Sequence, residues 1–531
     1  MNKSFSEKAV LIYPRFDNYT FWSFRKTLQL YTPRTKYGTI KAAFPPLGLM
    51  GLFNHLKVYY KKIVLIDMNV NPININNVID ENCHVYVSGM IAQKNNLLKV
   101  LRIAKNRGAK VIVGGTIVDS KGEIFDEADH LIENEAEMVI DNLLLGLMQR
   151  NAKKYYKGLH TIPEKFFIPD YSSIDINNYT SMAIQTSRGC PEACEFCDIT
   201  ARFGRNVRLA PWSHIENCFL QLAVLKSTLP VFIVDDNFIG NPGKTIELLK
   251  KMHDLEKRIT YRFSKYTEVS MRLGHDTEKM KELRYWLRKN NFTSLFIGVE
   301  TPNEDALRET GKLQNIKEDM SKTLNRISEE TGASVMMGMI YGFDSDHPES
   351  MNKFVRFINS SRSPLVMLGL LTALPYTRLE ERLKKEGRLF KQSTGNNSDG
   401  SINFVPKNMT AEKAEEVYLK ILEKIYSAKA YFRRVLRETE TLIPKYTTKK
   451  VEWNYAITGI KLFLGRNAHT FMRYLPKASR IARKRYGLFS KAYFHLMKEY
   501  LTNCAKYVHF KDQIKVLRRH RIQKGIRCNV I

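Results

Sequence analysis

Three cysteines lie close together in the segment Cys190-Pro191-Glu192-Ala193-Cys194-Glu195-Phe196-Cys197. The C-x3-C-x2-C spacing lets three thiolates bind three corners of one cuboidal iron–sulfur cluster, which leaves the fourth iron without a protein ligand. Catalytic metal sites keep an open position for a substrate or cofactor, whereas structural sites are closed. The spacing therefore predicts chemistry at a cluster.

Two plainer interpretations of the cysteines compete with this one. Buried cysteines can be small apolar residues, or they can bind a structural zinc. Zinc needs four ligands, usually in paired elements, and the remaining cysteines Cys83, Cys218, Cys504 and Cys528 are isolated. The cluster is therefore favoured, and seven cysteines without regular pairing indicate a reducing compartment.

The segment resembles the signature of the radical S-adenosylmethionine enzymes, in which an aromatic residue, here Phe196, precedes the third cysteine. The resemblance implies that Cys190, Cys194 and Cys197 bind a catalytic 4Fe-4S cluster. It further implies that S-adenosylmethionine chelates the open iron and is cleaved to a 5′-deoxyadenosyl radical. An external electron donor of the flavodoxin or ferredoxin type is then required.

The composition is that of a globular protein with room for two or three domains. The chain has 531 residues, 44% of them hydrophobic, and a formal net charge of +30. No apolar run approaches the ~18 residues that span a bilayer, and the first residues lack the apolar core of a signal peptide. We therefore expect a cytoplasmic protein.

The first 150 residues alternate short β-branched runs with helical stretches, a pattern that predicts a doubly wound parallel sheet. The predicted strands are 10–13, 63–67, 85–89 and 110–114, and the predicted helices are 47–56, 94–106 and 137–148. Ligands bind beyond the carboxyl ends of such strands. Ser88, Gly89, Gly114 and Gly115 lie at those ends.

This region resembles the N-terminal, Rossmann-like cobalamin-binding domain of one branch of the radical enzymes. The resemblance is carried by Tyr13-Pro14, by 44–49, by 67–69, by 113–115 and by Asn134-Glu135-Ala136-Glu137. It implies cobalamin bound at Ser88, Gly89, Gly114, Gly115 and Glu135. The D-x-H-x-x-G motif is absent, since Asp129-His130 has the wrong spacing, so the cobalt would have no lower histidine ligand. The alternative is a degenerate Rossmann-like domain kept for packing.

Six further strand and helix repeats follow a polar linker at 151–180 and predict a partial (β/α)6 barrel of the TIM type at 181–388. The predicted strands are 183–186, 231–235, 261–267, 294–300, 334–341 and 365–374. We expect a mostly helical basic domain at 389–531. The chain is thus predicted to be α/β in its first two domains, with the boundary of the first at residue 150.

Polar residues cluster at the carboxyl ends of the predicted barrel strands, where a charge is partly buried and needs a ligand or an ion-pair partner. The resemblance implies that this end binds S-adenosylmethionine. The residues to which it assigns that role are Phe196, Asp235, Asp236, Glu268, Ser270, Glu300, Gly338, Ala373 and Pro375. Tyr376 departs from the family pattern, in which glycine is more usual. A structural ion pair is the alternative for each acid.

The C-terminal region combines a turn-rich loop at 395–401, helical periodicity at 411–428 and a basic tail. The loop and helix resemble the subgroup that includes the hopanoid methylases. From Lys461 to the end we count 18 Lys and Arg against two acids, interleaved with large apolar residues. Such a surface is typical of a peripheral element at the inner face of a membrane. RNA binding and a simple solvated face are the alternatives.

Together with these observations, the resemblance implies a cobalamin-dependent radical S-adenosylmethionine enzyme that methylates an unactivated carbon of a hydrophobic, lipid- or isoprenoid-like small molecule. Radical cyclisation, rearrangement or oxidation in natural-product biosynthesis is the enzymatic alternative. A catalytically inactive basic protein that binds RNA or a membrane is the non-enzymatic one. Methylthio transfer to RNA is disfavoured, because its second cluster needs N-terminal cysteines and that half offers only Cys83.

Overall fold

The structure is a computed structural model. It describes residues 5, 8–17, 34–118, 123–443 and 462–528, apart from the side chains of 123, 125 and 524–528. The chain forms two compact units. Of the described residues, unit 1 comprises 5, 8–17, 34–118, 123–189 and 202–234, and unit 2 comprises 190–201, 235–443 and 462–528. The predicted domain limits at 150, 180 and 388 stay predictions, since these units record contacts and not independent folding.

Unit 1 contains a parallel sheet of six strands in the order β2-β1-β3-β4-β5-β6. The strands are β1 (Lys8–Tyr13), β2 (Ile63–Asp67), β3 (Cys83–Ser88), β4 (Lys110–Gly114), β5 (His130–Glu133) and β6 (Tyr155–Lys157). The helices are α1 (Leu47–Leu56), α2 (Lys94–Asn106), α3 (Glu123–Glu127) and α4 (Ile140–Met148). The predicted sheet is confirmed, and β5 and β6 add two strands to the four predicted.

Both faces of this sheet are covered, because side chains of a strand alternate between its two faces. Val10 and Ile12 of β1 pack in one core together with Leu97 of α2. Ala9 and Leu11 pack in a second core with residues of α1 and α4. A strand that is buried on both sides has apolar residues at nearly every position, so the positions of these strands could be predicted from the sequence.

Unit 1 also contains a parallel pair, β7 (Met182–Ile184) with β10 (Val231–Ile233), and an antiparallel pair, β8 (Ser187–Arg188) with β9 (Arg208–Leu209). Helices α5 (Ile199–Phe203) and α6 (Trp212–Val224) lie between them in sequence. The segment 151–180, predicted as a linker, carries β6 and two buried tyrosines. The Tyr171 hydroxyl donates to the Ala183 carbonyl at 2.5 Å, and that of Tyr179 donates to Asp67 at 3.1 Å.

Unit 2 contains four parallel strands in the order β11-β12-β13-β14. They are β11 (Lys265–Ser270), β12 (Phe292–Glu300), β13 (Ser334–Tyr341) and β14 (Leu365–Leu370). The helices between and before them are α7 (Pro242–Arg258), α8 (Glu278–Lys289), α9 (Glu304–Glu309), α10 (Met320–Thr331) and α11 (Met351–Ser360). All six predicted barrel strands therefore form, two in unit 1 and four in unit 2.

The start of β11 is four residues later than predicted. The N–H of Tyr261 donates to the Glu256 carbonyl at 3.1 Å, and that of Phe263 donates to the Glu256 carboxylate at 3.0 Å. These bonds bind the segment to the end of α7, so its backbone is already satisfied before the strand begins. The apolar pattern of 261–264 reflects this packing.

Five helices complete unit 2: α12 (Arg378–Lys385), α13 (Ala411–Ile425), α14 (Ala428–Thr441), α15 (Ala468–Tyr486) and α16 (Lys491–Cys528). Aromatic side chains form their core, with the rings of Tyr426 and Phe510 stacked at 4.1 Å. The predicted helical C-terminal region is confirmed. Within the described part of the chain, no helix is both long enough and apolar enough to cross a bilayer.

Candidate active site

The three cysteines lie on an irregular loop that precedes α5. Cys194 is buried, and Cys190 and Cys197 are half-buried. The Glu195 N–H donates to the Thr310 carbonyl at 3.0 Å, and the Cys197 N–H donates to the Cys194 carbonyl at 3.3 Å. The loop is therefore fixed by main-chain bonds in the middle of the motif, which leaves the thiol groups free to act as ligands.

One buried cation, Lys312, faces all three thiols. Burial raises the pKa of each thiol, that of Cys197 to about 12, and the charge of Lys312 opposes this rise. Burial by itself would lower the pKa of Lys312, but the charge of Glu300 and of Cys194 outweighs it, so that the pKa is raised. Because metal ligation requires thiolates, a fixed cation here favours cluster binding.

Lys312 donates to Glu300 Oε1 at 2.7 Å in an ion pair that is almost fully buried. Two glycines make room for it. A Cβ on Gly298 would lie 2.6 Å from Glu300 Oε1 and 3.3 Å from Lys312 Nζ. Gly311 has φ +74°, and its Cβ would lie 3.0 Å from the Ala193 carbonyl oxygen of the cysteine loop. Glycine thus lets the pair and the loop approach each other.

Two polar atoms near the cysteine loop are buried and have no hydrogen-bond partner within the described residues, Asn237 Oδ1 and Ser270 Oγ. The Asn237 amide nitrogen lies 4.0 Å from Cys190 Sγ. Buried polar atoms are normally satisfied, so these two fit a polar ligand at this site. The donor set, three thiols beside a lysine, fits an anionic iron–sulfur cluster.

No three His, Cys, Asp or Glu side chains of the described residues stand in an arrangement that would hold a single metal ion. A cluster of four irons places its thiolates on different corners, farther apart than the ligands of one ion.

Three carboxylates lie on or shortly after two of the strands. Asp235 is buried and Asp236 is half-buried, and both follow β10 after one intervening residue, whereas Glu268 lies on β11. Burial, and then the charge of Asp236, raise the pKa of Glu268 to about 7. A cation or a hydroxyl donor bound here would stabilise the ionised carboxylate, as the ammonium group or ribose of a nucleoside cofactor could.

The other candidates on these strands have packing roles as well. The Phe196 ring lies 6.0 Å from the Phe343 ring and 6.0 Å from Lys312 Nζ. At Gly338 of β13 a Cβ would meet the Phe296 ring at 2.6 Å, so this glycine is explained without a cofactor.

Ala373 is held by one side chain through both of its main-chain groups. Its N–H donates to Asn403 Oδ1 and its carbonyl accepts from Asn403 Nδ2, each at 2.9 Å. Pro375 is half-buried, and Tyr376 next to it has φ +67° and an exposed ring. The backbone at the Tyr376 position therefore has the left-handed conformation that glycine adopts most easily.

Four of the five cobalamin candidates meet at one edge of the first sheet. Gly115 has φ +91°, and a Cβ there would lie 2.6 Å from the Gly89 carbonyl oxygen and 2.8 Å from Ser88 Oγ. The Gly89 N–H points to the Gly114 carbonyl at 3.4 Å. Contacts within the chain therefore explain glycine at position 115, whereas a Cβ on Gly114 would meet nothing closer than the Ile132 carbonyl oxygen at 3.9 Å, so space remains beside that residue.

Glu135, the fifth candidate, is engaged by other residues. Its side chain accepts from Arg208 at 2.5 and 2.9 Å, from Arg188 at 3.0 Å and from the Thr161 N–H at 2.8 Å. Although burial opposes ionisation, Arg208 and Arg188 lower the pKa of Glu135 to about 2. Arg188 lies on β8 and Arg208 on β9, so this carboxylate fixes the hairpin that leads into the cysteine loop. Its cobalamin role stays a prediction.

Relatives extend over most of the chain. An uncharacterized methyltransferase of Synechocystis is 33% identical over 442 residues, which cover 81% of this chain and 78% of the relative. The chain belongs to the same methyltransferase family as this relative. Within that family, the hopanoid C-2 methylase of Rhodopseudomonas palustris is 27% identical over 434 residues, 81% of this chain and 79% of the methylase.

The fold agrees with this family. The radical S-adenosylmethionine methyltransferase TsrM of Kitasatospora setae, solved with cobalamin and a 4Fe-4S cluster, superposes with a TM-score of 0.60 at 11% identity, covering 94% of this chain and 99% of TsrM. At this identity the match shows the fold alone. A family model described as a domain of unknown function (DUF4070) matches residues 377–523.

Three residues of the candidate site were not singled out in the sequence: Lys312, Asn403 and Arg382. Each acts on a residue far away in sequence, and a lone lysine, asparagine or arginine carries no spacing signal. Gly311-Lys312 after a helix was the available hint for the first, since glycine beside a buried charge marks close approach. Arg382 lies 187 residues from its partner Glu195, beyond any local pattern.

Proposed function

We propose that this protein transfers a methyl group to an unactivated carbon of a hydrophobic, lipid- or isoprenoid-like molecule, with a 4Fe-4S cluster, S-adenosylmethionine and cobalamin. The observation that carries the proposal is the loop of three cysteines beside the buried Glu300–Lys312 pair. The similarity to a hopanoid methylase over 81% of the chain supports the substrate class.

Cys190, Cys194 and Cys197 would hold the cluster, and Lys312 would offset the negative charge of their thiolates. The cluster and S-adenosylmethionine supply the radical that removes hydrogen from the substrate, and cobalamin supplies the methyl group. The residues of the chain position these groups and exclude water. We expect no protein nucleophile, because the cofactors carry the covalent chemistry.

S-adenosylmethionine would bind at the strand ends that carry the two unsatisfied atoms. Glu300 and Lys312 present a carboxylate and an ammonium side by side, which is complementary to the amino and carboxylate groups of a methionine moiety. Asp235, Asp236, Glu268 and Ser270 offer acceptors for ribose hydroxyls or a cation. Phe196, Gly338, Ala373 and Pro375 complete the proposed contact set.

Cobalamin would bind at the edge of the first sheet formed by Ser88, Gly89, Gly114 and Gly115. This position follows the rule that ligands bind beyond the carboxyl ends of parallel strands. Main-chain groups and one hydroxyl are available there, and no histidine of a D-x-H-x-x-G motif reaches the cobalt. Glu135 supports the hairpin before the cysteine loop.

We further propose that the chain acts in the cytoplasm with a flavodoxin- or ferredoxin-like donor and meets its substrate at the inner face of the membrane. A hydrophobic substrate is concentrated in the bilayer, and the last 71 residues carry 18 basic side chains against two acidic ones. Basic surfaces bind anionic lipid headgroups. Binding of RNA by the same surface is the alternative, and vesicle and RNA binding assays distinguish the two.

Comparison of lipid extracts from cells with and without the protein tests the reaction and the substrate together. We expect a lipid that is heavier by one methyl group only where the protein is present. A product of unchanged carbon count but with an additional ring or double bond would instead indicate a radical cyclisation or oxidation.

The cluster is tested separately by iron content and by cleavage of S-adenosylmethionine in anaerobically reconstituted protein. Cys190→Ala, Cys194→Ala and Cys197→Ala should each lose both. Cys83→Ala and Cys504→Ala are the matched controls, since both cysteines are buried at other places in the fold, and should retain both. Wild-type cleavage by any of the first three variants would overturn the assignment.

A further inference from the structure

The turn between α15 and α16 exposes three large apolar side chains. Leu488, Phe489 and Phe494 have exposed fractions of 48%, 70% and 56%. The Phe489 and Phe494 rings are stacked with their centroids 6.1 Å apart. The three residues therefore form one apolar tip at the end of a helical hairpin, which we call the Phe489 tip.

The hairpin behind the tip is firmly packed. Ala482 of α15 and Leu496 of α16 share one buried cluster, and the Ser479 hydroxyl lies 2.8 Å from that of Tyr493. Arg485 donates to the Leu442 carbonyl at 2.9 Å, which joins the hairpin to the end of α14. The tip thus projects from a fixed support.

The backbone at the tip is strained. Phe489 has φ +62°, a conformation that costs a bulky L-residue free energy and that glycine would adopt readily. A ring exposed by 70% recovers little of that cost through packing. Backbone strain is often retained at functional sites. We therefore infer that the Phe489 ring contacts a binding partner.

Exposed cations flank the tip on both sides in the sequence, and acids are absent from the same stretch. Arg480, Arg483, Lys484 and Lys491 are all exposed, and residues 462–498 contain no Asp or Glu. Of the other apolar residues of the basic tail, Phe471 and Leu496 are buried, whereas Leu464, Met472, Val516 and Ile522 are exposed one by one. The Phe489 tip differs from these because its exposed side chains are grouped, with two rings stacked on each other.

We propose that the Phe489 tip inserts into the interface of an anionic lipid bilayer while the surrounding Arg and Lys bind its headgroups. Apolar side chains with a basic collar are suited to that interface. The aliphatic Leu488 adds apolar surface that suits lipid and offers no ring for base stacking, and binding of RNA through the two phenylalanine rings is an outcome of the test. This deepens the proposed membrane association and is independent of the reaction catalysed.

Phe489→Gly tests the tip in the full-length protein, since it removes the ring and relieves the strain together. Binding to vesicles of equal phosphatidylcholine and phosphatidylglycerol should weaken about tenfold, while the thermal midpoint stays equal or rises. The matched control is Tyr285→Ala, which removes an exposed ring (52%) from the regular helix α8 beside Lys289. It should bind vesicles as the parent does.

Charge and depth are measured with two more variants. The double variant Lys484→Gln/Lys491→Gln should lose much of the preference for anionic vesicles and its sensitivity to salt. Phe489→Trp should show emission that shifts to the blue on vesicle binding and is quenched by brominated lipid, whereas Tyr285→Trp should show neither. The tryptophan variant keeps the test decisive even if the glycine variant folds poorly.

Three results would overturn the proposal: unchanged vesicle binding by Phe489→Gly, equal binding of the parent to pure phosphatidylcholine, or tight binding to an RNA oligonucleotide without binding to vesicles. Iron content and S-adenosylmethionine cleavage should be parental in every tip variant. If the unaltered protein bound no iron and did not cleave S-adenosylmethionine, the proposed reaction would be wrong. The vesicle measurements would still test the Phe489 tip.

Discussion

Arg382 holds the cysteine loop through a bidentate ion pair with Glu195, which lies between the second and third cysteines of the motif. Nε lies 2.7 Å from Glu195 Oε1 and Nη2 lies 3.1 Å from Oε2. The remaining nitrogen, Nη1, lies 2.9 Å from Asp344 Oδ2. Arg382 lies on α12, within the segment matched by the family model, so the C-terminal region positions the proposed cluster ligands.

Replacement of Arg382 by Gln should loosen the cysteine loop. Glu195 would lose both charged bonds, and we expect a loss of about 2 kcal/mol in the free energy of unfolding together with faster loss of iron. Arg382→Lys should recover the charge but not the bidentate geometry. The measurement is the rate at which the visible absorbance of the cluster is lost in the presence of an iron chelator. The rate for Arg382→Gln is compared with that for Arg362→Gln.

Arg362 is a suitable control because it pairs with Glu329 and Glu440, which are exposed. Its replacement should leave cluster bleaching unchanged. Equal bleaching in Arg382→Gln and the parent would show that the loop does not depend on α12.

Replacement of Lys312 by Met should destabilise the protein strongly, because it leaves Glu300 buried without its cation. We expect a cost of about 3–5 kcal/mol, measured by chemical denaturation. The double variant Glu300→Gln/Lys312→Met should cost clearly less, since no unpaired charge remains. Lys281→Met removes an exposed ion pair with Glu278 and should cause no measurable change.

The carboxyl of Glu268 should make stability fall as pH rises. Its pKa in the folded chain is raised to about 7, so the folded state binds a proton that the unfolded state has already released. The stability that this proton confers is present below the unfolded pKa and is lost as pH rises through about 7, by at most about 3 kcal/mol. Glu268→Gln should abolish this dependence, and Glu278→Gln should retain it.

The same carboxyl reports on the cofactor. If S-adenosylmethionine places a cation near Glu268, its binding should release a proton near pH 7. Calorimetry in two buffers of different ionisation enthalpy measures that proton. Identical binding heats in both buffers would remove Glu268 from the proposed contacts.

Replacement of Gly115 by Ala should prevent cobalamin from copurifying. The added Cβ would lie 2.6 Å from the Gly89 carbonyl oxygen at φ +91°, so the ends of β3 and β4 must separate. Gly243→Ala is the matched control, since Gly243 lies in the first turn of α7, a Cβ there meets only Asn241 Oδ1 at 3.9 Å, and alanine favours the helix. Cobalamin retained by Gly115→Ala would place its site elsewhere.

The sequence by itself determined the elements whose signals are local. The cysteine spacing, the two-sided apolar runs of β1 to β4 and the turn glycines each act over a few residues, so the cluster motif, the parallel sheet and the glycine edge at 88–115 could be read from it. The short strands β5 and β6 were missed, because three or four residues carry too little pattern to distinguish a strand from a loop.

Only the tertiary structure decided which charges meet. Glu135 was predicted to bind cobalamin, and in the structure it forms ion pairs with Arg188 and Arg208. Lys312 and Arg382 were not predicted as site residues, and both interact with residues of the cysteine loop. It also showed which apolar residues of the basic tail are buried, such as Phe471 and Leu496, and which are grouped in the exposed Phe489 tip. Ion pairs and burial depend on distances between remote segments, which the order of residues along the chain does not encode locally.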